Sequence, residues 1–291
     1  MFNLITVFFF FYFSYYLLFF SSTFYSFKFN DFNLRLKIMP VLFSMIFLLF
    51  FLPFEFIFFV FYGLAVFIFY EHFMIAFPNH EKTLLFVWGF ILLSFFYYFI
   101  AVKNNFLLSI TLYCWLVLFL IIICRSYFSL YFYCLSTALA ILFVPALSLI
   151  FDNQLTFLKA VFIILFATQA NDAFQYFFGK IFGKKYFNFL SPNKTYEGLF
   201  FGIIFSFLFT FLFIDFLFAF SPIINFQLSF LLIFFSSLSS IFSSFFKRQF
   251  NATDFGNILP GHGGISDRFN GLFLTSPVYF VYWFTIDKSL A

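Results

Sequence analysis

Charged residues are scarce in this sequence. Only 9% of its 291 residues are Asp, Glu, Lys or Arg, and none of these occurs between Asp215 and Lys247. In soluble globular domains roughly a quarter of the residues are charged. Because 65% of the residues are hydrophobic, the polar surface is too small to cover a water-soluble fold. The composition therefore excludes a soluble domain and predicts an integral membrane protein.

Cysteine is also scarce. Cys114, Cys124 and Cys134 are the three in the chain, and they form no CxxC pair. Their spacing does not place them on one face of a helix with 3.6 residues per turn. A disulfide framework or a cysteine metal site has no support in this pattern, and we expect small apolar side chains inside helices.

Long apolar runs fill most of the chain, without the alternation that marks barrel strands. At about 20 apolar residues per crossing, they predict an all-α, polytopic membrane protein of about 8–10 transmembrane helices. The predicted spans are 5–22, 38–54, 56–71, 83–102, 106–124, 127–149, 157–171, 198–219, 227–246 and 270–286. Residues 1–150 would supply N-terminal helices, and residues 151–291 a catalytic region with polar loops 172–197 and 247–271, within one membrane domain.

Lysine and arginine are concentrated in three loops, at 23–37, 172–197 and 247–271. Two spans separate the last two loops, so both loops lie on the same side of the membrane. Because basic loops remain cytoplasmic, this side is predicted to face the cytoplasm. The two polar loops could then form one site at the cytoplasmic face.

The first loop follows an ionisable residue, Asp172, near the end of a predicted span. Charge at membrane depth is costly and marks a candidate functional residue. Ser191 or Asn193 is predicted to cap a helix that starts near Lys194, with Glu197 in its first turn. A capped loop with orienting lysines would explain this segment, and so would a phosphate site at a helix N-terminus.

The second loop contains Pro260-Gly-His-Gly-Gly264, which is incompatible with an ordinary helix. Its glycines permit a tight turn with exposed N–H groups that could bind an anion. Asp254 and Asp267 flank this turn, and two carboxylates brought together there could bind Mg²⁺. The alternative is an interfacial loop with snorkelling basic side chains.

These motifs resemble the signature of the phosphatidate cytidylyltransferase (CDP-diacylglycerol synthase) family. In the second loop the matching elements are Ser244-Phe-Phe-Lys247-Arg248, Thr253-Asp254-Phe-Gly256, Pro260-Gly-His262-Gly-Gly264 and Asp267-Arg268-Phe-Asn270. In the first loop they are Asp172, Gly179-Lys180-Ile-Phe-Gly183 and Ser191–Gly198. The resemblance covers residues 171–279, whereas the N-terminal half matches only as a set of apolar spans.

The chain departs from the family pattern at four positions. Ser240, Ser243, Thr253 and Asn270 replace an Asp, a Glu, a Lys and an Asp of the family, and the first of these would be a metal ligand. Two alternatives therefore stay open: a family member that binds lipid or nucleotide without turnover, and a related transferase with another lipid phosphate acceptor.

The resemblance implies transfer of CMP from CTP to phosphatidic acid, giving CDP-diacylglycerol and pyrophosphate, with Mg²⁺ as cofactor. Implied catalytic residues are Asp267, Asp254, Lys247, Arg248, His262 and Arg268. Implied substrate-binding residues are Lys194, Ser191, Thr195, Glu197, Lys180, Gly261, Gly263 and Gly264. Implied metal ligands are Asp267, Asp254 and Asp172.

The same resemblance places the chain in phospholipid biosynthesis at the bacterial inner membrane. CTP, phosphatidic acid and membrane lipids are the expected partners. Nucleic acid is not expected, and a homodimer is left open.

A further pair of ionisable residues lies outside the two loops. Glu71 and His72 close the predicted span 56–71. They are expected to lie in a solvated loop, with a second contribution to the head-group site as the alternative.

Overall fold

The computed structural model describes residues 54–77, 127–151, 153–187, 191–218, 220–256 and 263–290. The predicted spans 5–22, 83–102 and 106–124, and all but the last residue of 38–54, lie outside these ranges. Cys114 and Cys124 also lie outside them. Cys134 is buried in a helix, as predicted for a small apolar side chain.

Helices account for most of the described chain. They are α1 Phe54–Ala76, α2 Tyr127–Ala146, α3 Gln154–Phe182, α4 Tyr196–Phe218, α5 Pro222–Gln249, α6 Ser266–Phe269 and α7 Leu272–Leu290. A 3-10 turn, Leu147–Leu149, precedes α3, and a short antiparallel hairpin pairs β1 Tyr186–Phe187 with β2 Ser191–Thr195.

The long helices confirm the all-α membrane class. Four of them, α1, α3, α4 and α5, are long and apolar enough to cross a membrane, and α2 and α7 contain shorter apolar segments. Helix α1 packs on α2, α3 packs on α4, and α7 packs on both α2 and α5. One continuous apolar core joins these helices.

Helix α3 is longer than the predicted span 157–171. It begins after Asn153, whose side chain accepts the N–H of Leu155 at 2.9 Å, and it continues to Phe182. Asn171 and Gln175 stay helical because their buried amides find hydrogen-bond partners on neighbouring helices. The first polar stretch therefore begins as a helix, and the loop starts only at Gly183.

Glycines allow α3 and α4 to approach closely. A Cβ atom on Gly198 would lie 2.6 Å from the Cα of Gly179, and one on Gly202 would lie 2.6 Å from the Cα of Gln175. Small residues of this kind let membrane helices gain van der Waals contact along their backbones. The close approach fixes the start of α4, and thus Lys194 just before it, against α3.

The N-terminus of α4 is capped by Thr195. Its hydroxyl accepts the N–H of Gly198 at 3.1 Å, which is the bond that an N-cap side chain makes. The predicted cap, Ser191 or Asn193, and the predicted start near Lys194 are thus each a few residues too early. Ser191 and Asn193 instead lie in strand β2.

Gly198→Ala is expected to destabilise the bundle, because the new methyl group has no room against the α3 backbone. Overpacking of this kind costs about 1–3 kcal/mol. Gly63→Ala is the matched control, because no described atom lies within 4 Å of a Cβ atom there. Thermal unfolding in detergent should show a lower midpoint only for Gly198→Ala. Equal midpoints for the two variants would contradict the close helix contact.

Helix α4 presents apolar side chains outward along its whole length. The exposed set on this helix includes Phe200, Phe205, Leu208, Leu212 and Phe216. Water would not favour such a surface, whereas the hydrocarbon core of a membrane covers it without cost. The opposite face of α4 carries Gly202, Ser206 and Thr210 towards the bundle.

Candidate active site

Asp267 is held by both chain segments that flank the glycine turn. Its Oδ1 atom lies 2.9 Å from the Nζ atom of Lys247, in a salt bridge. Its Oδ2 atom accepts the N–H of Phe255 at 2.8 Å and the N–H of Gly264 at 2.9 Å. Only 8% of Asp267 is exposed. The carboxylate therefore has one fixed orientation, with Oδ1 directed towards the lysine.

Gly263 lies between the two acidic residues of the second loop. Its φ of +79° is in the region that favours glycine, and a Cβ atom there would lie 2.7 Å from Asp267 Oδ2 and 2.9 Å from Asp254 Cβ. Asp254 is exposed. The turn thus brings the two acidic side chains close to the same glycine.

The backbone of the turn is partly used by the protein itself. The N–H of Gly264 donates to Asp267, so it is not directed at a ligand in this structure. Gly261 and His262, which were predicted to act beside it, lie outside the described residues. The predicted anion-binding turn stays a prediction for those two positions.

Lys194 points from the first loop into the bundle. Its ammonium donates to Ser240 at 2.6 Å and to Gln175 at 3.2 Å. Burial lowers the pKa of Lys194 below its usual value, since it removes water from the ammonium; the negative charge of Asp172 opposes this and the positive charge of Lys247 adds to it. Asp172 balances the charge of Lys194 only in part, so the ammonium could bind an anionic ligand.

A buried polar network supports Lys194 from within the bundle. Gln175 donates to the Oδ1 atom of Asn171 and to the hydroxyl of Ser237, both at 3.0 Å. Asn171 in turn donates to the hydroxyls of Ser236 and Ser237 at 3.1 and 3.0 Å. Polar groups at membrane depth require such partners. The network fixes the side chain that accepts from Lys194.

Asp172 connects the two polar loops electrostatically. Its charge interacts with those of Lys194 in the first loop and of Arg268 and Lys247 in the second. The two loops, which are far apart in the sequence, thus bring Lys194, Lys247 and Arg268 within electrostatic range of one acidic side chain, and we call these three residues the cluster around Asp172. The loops also meet in the hydrogen bond from Lys194 to Ser240, two turns before Lys247 on α5.

The two arginines of the second loop are positioned by backbone contacts. Gln169 donates to the carbonyl oxygen of Arg268 at 2.6 Å, which ties α3 to the end of α6. The Nη1 atom of Arg248 lies 3.4 Å from the carbonyl oxygen of Ala252, just after α5 ends. Arg268 belongs to the cluster around Asp172, whereas Arg248 contacts the chain at the end of its own helix.

Other predicted residues of the first loop lie at its edge. Lys180 is exposed, with its Nζ atom 5.7 Å from the centre of the Tyr176 ring. Glu197 accepts the backbone N–H groups of Lys184 and Lys185 at 3.1 and 3.2 Å, so it holds the loop in place. The side chain of Ser191 lies outside the described residues.

Glu71 and His72 are not in a solvated loop. They are 4% and 3% exposed and lie inside α1, which continues through the apolar residues 73–76. The Glu71 carboxylate accepts the N–H groups of Ile265 and Ser266 at 3.0 and 2.8 Å and also the Ser266 hydroxyl. The signal was present in the sequence, since the apolar run resumes directly after the pair.

His72 packs beside the second loop. Its Nδ1 atom lies 2.8 Å from the hydroxyl of Thr137, and its ring centre lies 4.0 Å from that of Phe255. His72 and Asn270 line a small cavity of about 10 Å³, and their buried Nε2 and Oδ1 atoms have no hydrogen-bond partner among the described residues.

Comparison with known proteins gives one match over most of the chain. Residues 33–286 match the model of the cytidylyltransferase family. A phosphatidate cytidylyltransferase of Aquifex aeolicus is 33% identical over 144 residues, which are 48% of this chain and 54% of that protein. One of Helicobacter pylori is 34% identical over 113 residues, which are 39% of this chain and 42% of that protein.

A shorter and stronger similarity exists to a phosphatidate cytidylyltransferase of Rickettsia typhi. It is 60% identical over 37 residues, which are 13% of this chain and 16% of that protein. In these three relatives, the chain thus matches between 16% and 54% of the relative's length. Because the family model spans nearly the whole of the sequence, this chain belongs to the cytidylyltransferase family.

Proposed function

We propose that this protein transfers CMP from CTP to phosphatidic acid, giving CDP-diacylglycerol and pyrophosphate. The observation that carries the proposal is the meeting of the two loops at α5, where Lys194 donates to Ser240 at 2.6 Å and Lys247 follows two turns later, paired with Asp267 at 2.9 Å. Arg268, next to Asp267, completes this cluster of cations near Asp172. Both substrates are phosphates, and cations gathered from two loops provide the charge that two anions need in order to approach each other. Family membership and the names of the relatives agree with this reaction.

In the proposed reaction, a phosphate oxygen of phosphatidic acid forms a bond to the α-phosphorus of CTP. The bond between that phosphorus and the oxygen leading to the β-phosphorus breaks, and pyrophosphate leaves with the electron pair. No general base is required, since the lipid phosphate is already ionised. Catalysis then consists of alignment and charge neutralisation.

The side chains of the cluster divide these tasks. Lys194 and Lys247 would each act as a point charge against phosphate oxygens, whereas Arg268 can bind two oxygens at once. Asp267 orients Lys247 through the salt bridge. Arg248, Thr195 and the turn at 261–264 would border the same site, and His262 would donate to phosphate or order the turn. Lys180 and Glu197 would act at its edge.

The acidic residues fit a magnesium ion that is shared with substrate. Asp267 Oδ2 accepts from two N–H groups, whereas Oδ1 accepts from Lys247 alone among the described residues. No group of three or more metal-binding side chains is close enough to hold an ion in the described part of the chain. Mg²⁺ usually takes one or two carboxylates together with substrate phosphates. Asp267 and Asp254 would therefore hold it together with substrate phosphates, and the ion would neutralise charge on the leaving pyrophosphate. Asp172, the third predicted ligand, does not form a group of three with them in the described part of the chain.

The membrane location gives each substrate its own route. The exposed apolar face of α4 is suited to the acyl chains of a two-chain lipid, and the polar loops are suited to a solute. We place the loops on the cytoplasmic side of the bacterial inner membrane, where the positive-inside rule puts basic segments.

The test is an assay of the purified protein in detergent with phosphatidic acid, radiolabelled CTP and Mg²⁺. The expected result is label in CDP-diacylglycerol that disappears with EDTA. No label in any lipid, while a related cytidylyltransferase works in parallel, would overturn the proposal and favour a protein that binds without turnover. Label in a different lipid would favour another acceptor.

Ser240→Asp is expected to lower the Mg²⁺ concentration that gives half-maximal activity. Ser240 and Lys247 lie seven residues apart on α5, which is two turns on one face. A carboxylate at position 240 adds a hard oxygen ligand near this site, which a hydroxyl replaces poorly. Magnesium titrations of the two proteins provide the measurement, with Gln227→Glu, an exposed position at the other end of the same helix, as the control. An unchanged requirement in Ser240→Asp would contradict the metal site.

A further inference from the structure

We infer that Glu71 is a positioning residue that fixes α6, and with it Asp267 and Arg268, in the proposed active site. The inference rests on the proposed function for its effect on catalysis. Glu71 lies on α1, in a part of the chain where the sequence motifs of the site are absent. It contacts the chain directly before Asp267.

The Glu71 carboxylate acts as the cap of α6 from another helix. Ile265 is the N-cap residue of this helix, and its apolar side chain makes no capping hydrogen bond. Glu71 Oε1 accepts the N–H of Ile265 at 3.0 Å, and Oε2 accepts the N–H of Ser266 at 2.8 Å. The Ser266 hydroxyl donates to the same Oε2 atom. All three of these donors are uncharged, so within the described part of the chain backbone and hydroxyl dipoles stabilise the carboxylate.

Two glycines of the second loop leave space for this carboxylate. A Cβ atom on Gly264 would lie 2.7 Å from Oε2, and one on Gly256 would lie 2.7 Å from Oε1. Both glycines therefore form the walls of a close-fitting site for Glu71. The glycines of this loop suggested a turn that binds an anionic ligand. Gly256 and Gly264 instead make room for the Glu71 carboxylate of the protein itself.

Two carboxylates hold consecutive N–H groups of the same short segment. Asp267 accepts from Gly264, and Glu71 accepts from Ile265 and Ser266. If Glu71 released its two N–H groups, the segment that carries Asp267 and Arg268 would lose its anchor to α1 and keep only its contacts with α3, α5 and the second loop. Displacement of a catalytic group by about 1 Å can cost about 100-fold in rate.

The distinguishing experiment compares Glu71→Gln with Asp215→Asn, which is the same exchange of carboxylate for amide elsewhere in the bundle. Asp215 lies near the far end of α4 and accepts from Asn225 at 2.9 Å. A glutamine at position 71 has one oxygen, and its NH₂ group faces an N–H that needs an acceptor. We expect kcat to fall about 10-fold or more in Glu71→Gln. The KM for phosphatidic acid and the unfolding midpoint should change no more than in Asp215→Asn.

Hydrogen exchange provides a readout that does not need activity. The amides of Ile265 and Ser266 should exchange about 10-fold faster in Glu71→Gln, since they lose hydrogen bonds to a charged acceptor. Exchange in α4 and α5 should stay unchanged. If the wild type formed no product, the proposed function would fail, and exchange alone would decide the role of Glu71. Unchanged exchange at 265–266, or equal losses of kcat in both variants, would overturn the inference.

A double-mutant cycle identifies the contact itself. Ser266→Ala removes only the hydroxyl donor to Glu71. In the Glu71→Gln background it should change kcat by less than about half of its effect alone, because contacting residues are not additive. If the effects of Glu71→Gln and Ser266→Ala on kcat were fully additive, the inference that Glu71 caps α6 together with Ser266 would be overturned.

Discussion

Asp267→Ala is expected to abolish CDP-diacylglycerol formation. The substitution removes the partner of Lys247 and leaves the buried N–H groups of Phe255 and Gly264 without an acceptor. Breaking a buried ion pair by removing one member costs about 3–5 kcal/mol of stability. Loss of alignment should reduce kcat/KM at least about 100-fold. Label transfer from CTP to lipid measures the activity.

Asp267→Asn separates the chemistry from the folding effect. An asparagine oxygen can still accept both N–H groups, whereas the amide carries no charge for Lys247 or a metal ion. We expect this variant to unfold closer to the wild type than Asp267→Ala does and to be equally inactive. Asp215→Asn, outside the site, serves as the matched control and should retain activity. Wild-type turnover by Asp267→Asn would show that the charge of Asp267 has no catalytic role.

Lys194→Met is expected to reduce kcat/KM for CTP about 100-fold or more, since it removes a cation from a partly desolvated site. The substitution keeps most of the apolar stem while Ser240 and Gln175 lose the ammonium that they accept from. Lys180→Met is the control, because Lys180 is exposed at the edge of the loop. Its effect should stay within a few-fold. Comparable losses in both variants would contradict the special position of Lys194.

The pH profile of Lys194→Arg tests the same residue by a different route. Burial lowers the pKa of Lys194 below its usual value of 10.5, so its ammonium is lost earlier as pH rises. Activity that depends on this charge should therefore fall on the alkaline side in the wild type, and kcat/KM reports the free enzyme. Arginine stays charged in proteins, so the fall should move to higher pH in Lys194→Arg. Identical alkaline limbs in the two proteins would show that another group is responsible.

The membrane fold follows from the sequence because the apolar runs are long and uncharged. The spans 198–219 and 227–246 correspond to α4 and α5 within a few residues at each end. A backbone in hydrocarbon must satisfy its own hydrogen bonds, so length and composition suffice to predict these helices. The second half of α3 was not predicted as a helix, because the polar residues Asn171, Asp172 and Gln175 are typical of a loop. Tertiary partners such as Ser236 and Ser237 keep it helical.

The sequence predicts only part of the candidate site. The resemblance to the family motifs selected Asp267, Lys247 and Lys194 as site residues, and the few charged loops of this apolar chain pointed to the same two segments. Spacing gave no indication that Lys194 donates to Ser240 or that Lys247 is paired with Asp267. These contacts join residues from separate helices, and their geometry depends on how the helices pack.

Composition and apolar length by themselves determined that this chain is a helical membrane protein with its charge in a few loops. Local residue pattern also predicted which loops carry the candidate site residues. Only the tertiary structure decided that α1 takes part, through Glu71, in holding the second loop. The reason is physical: helix propensity and hydrophobicity act over neighbouring residues, whereas a buried carboxylate finds its donors wherever the packed bundle brings N–H groups within reach.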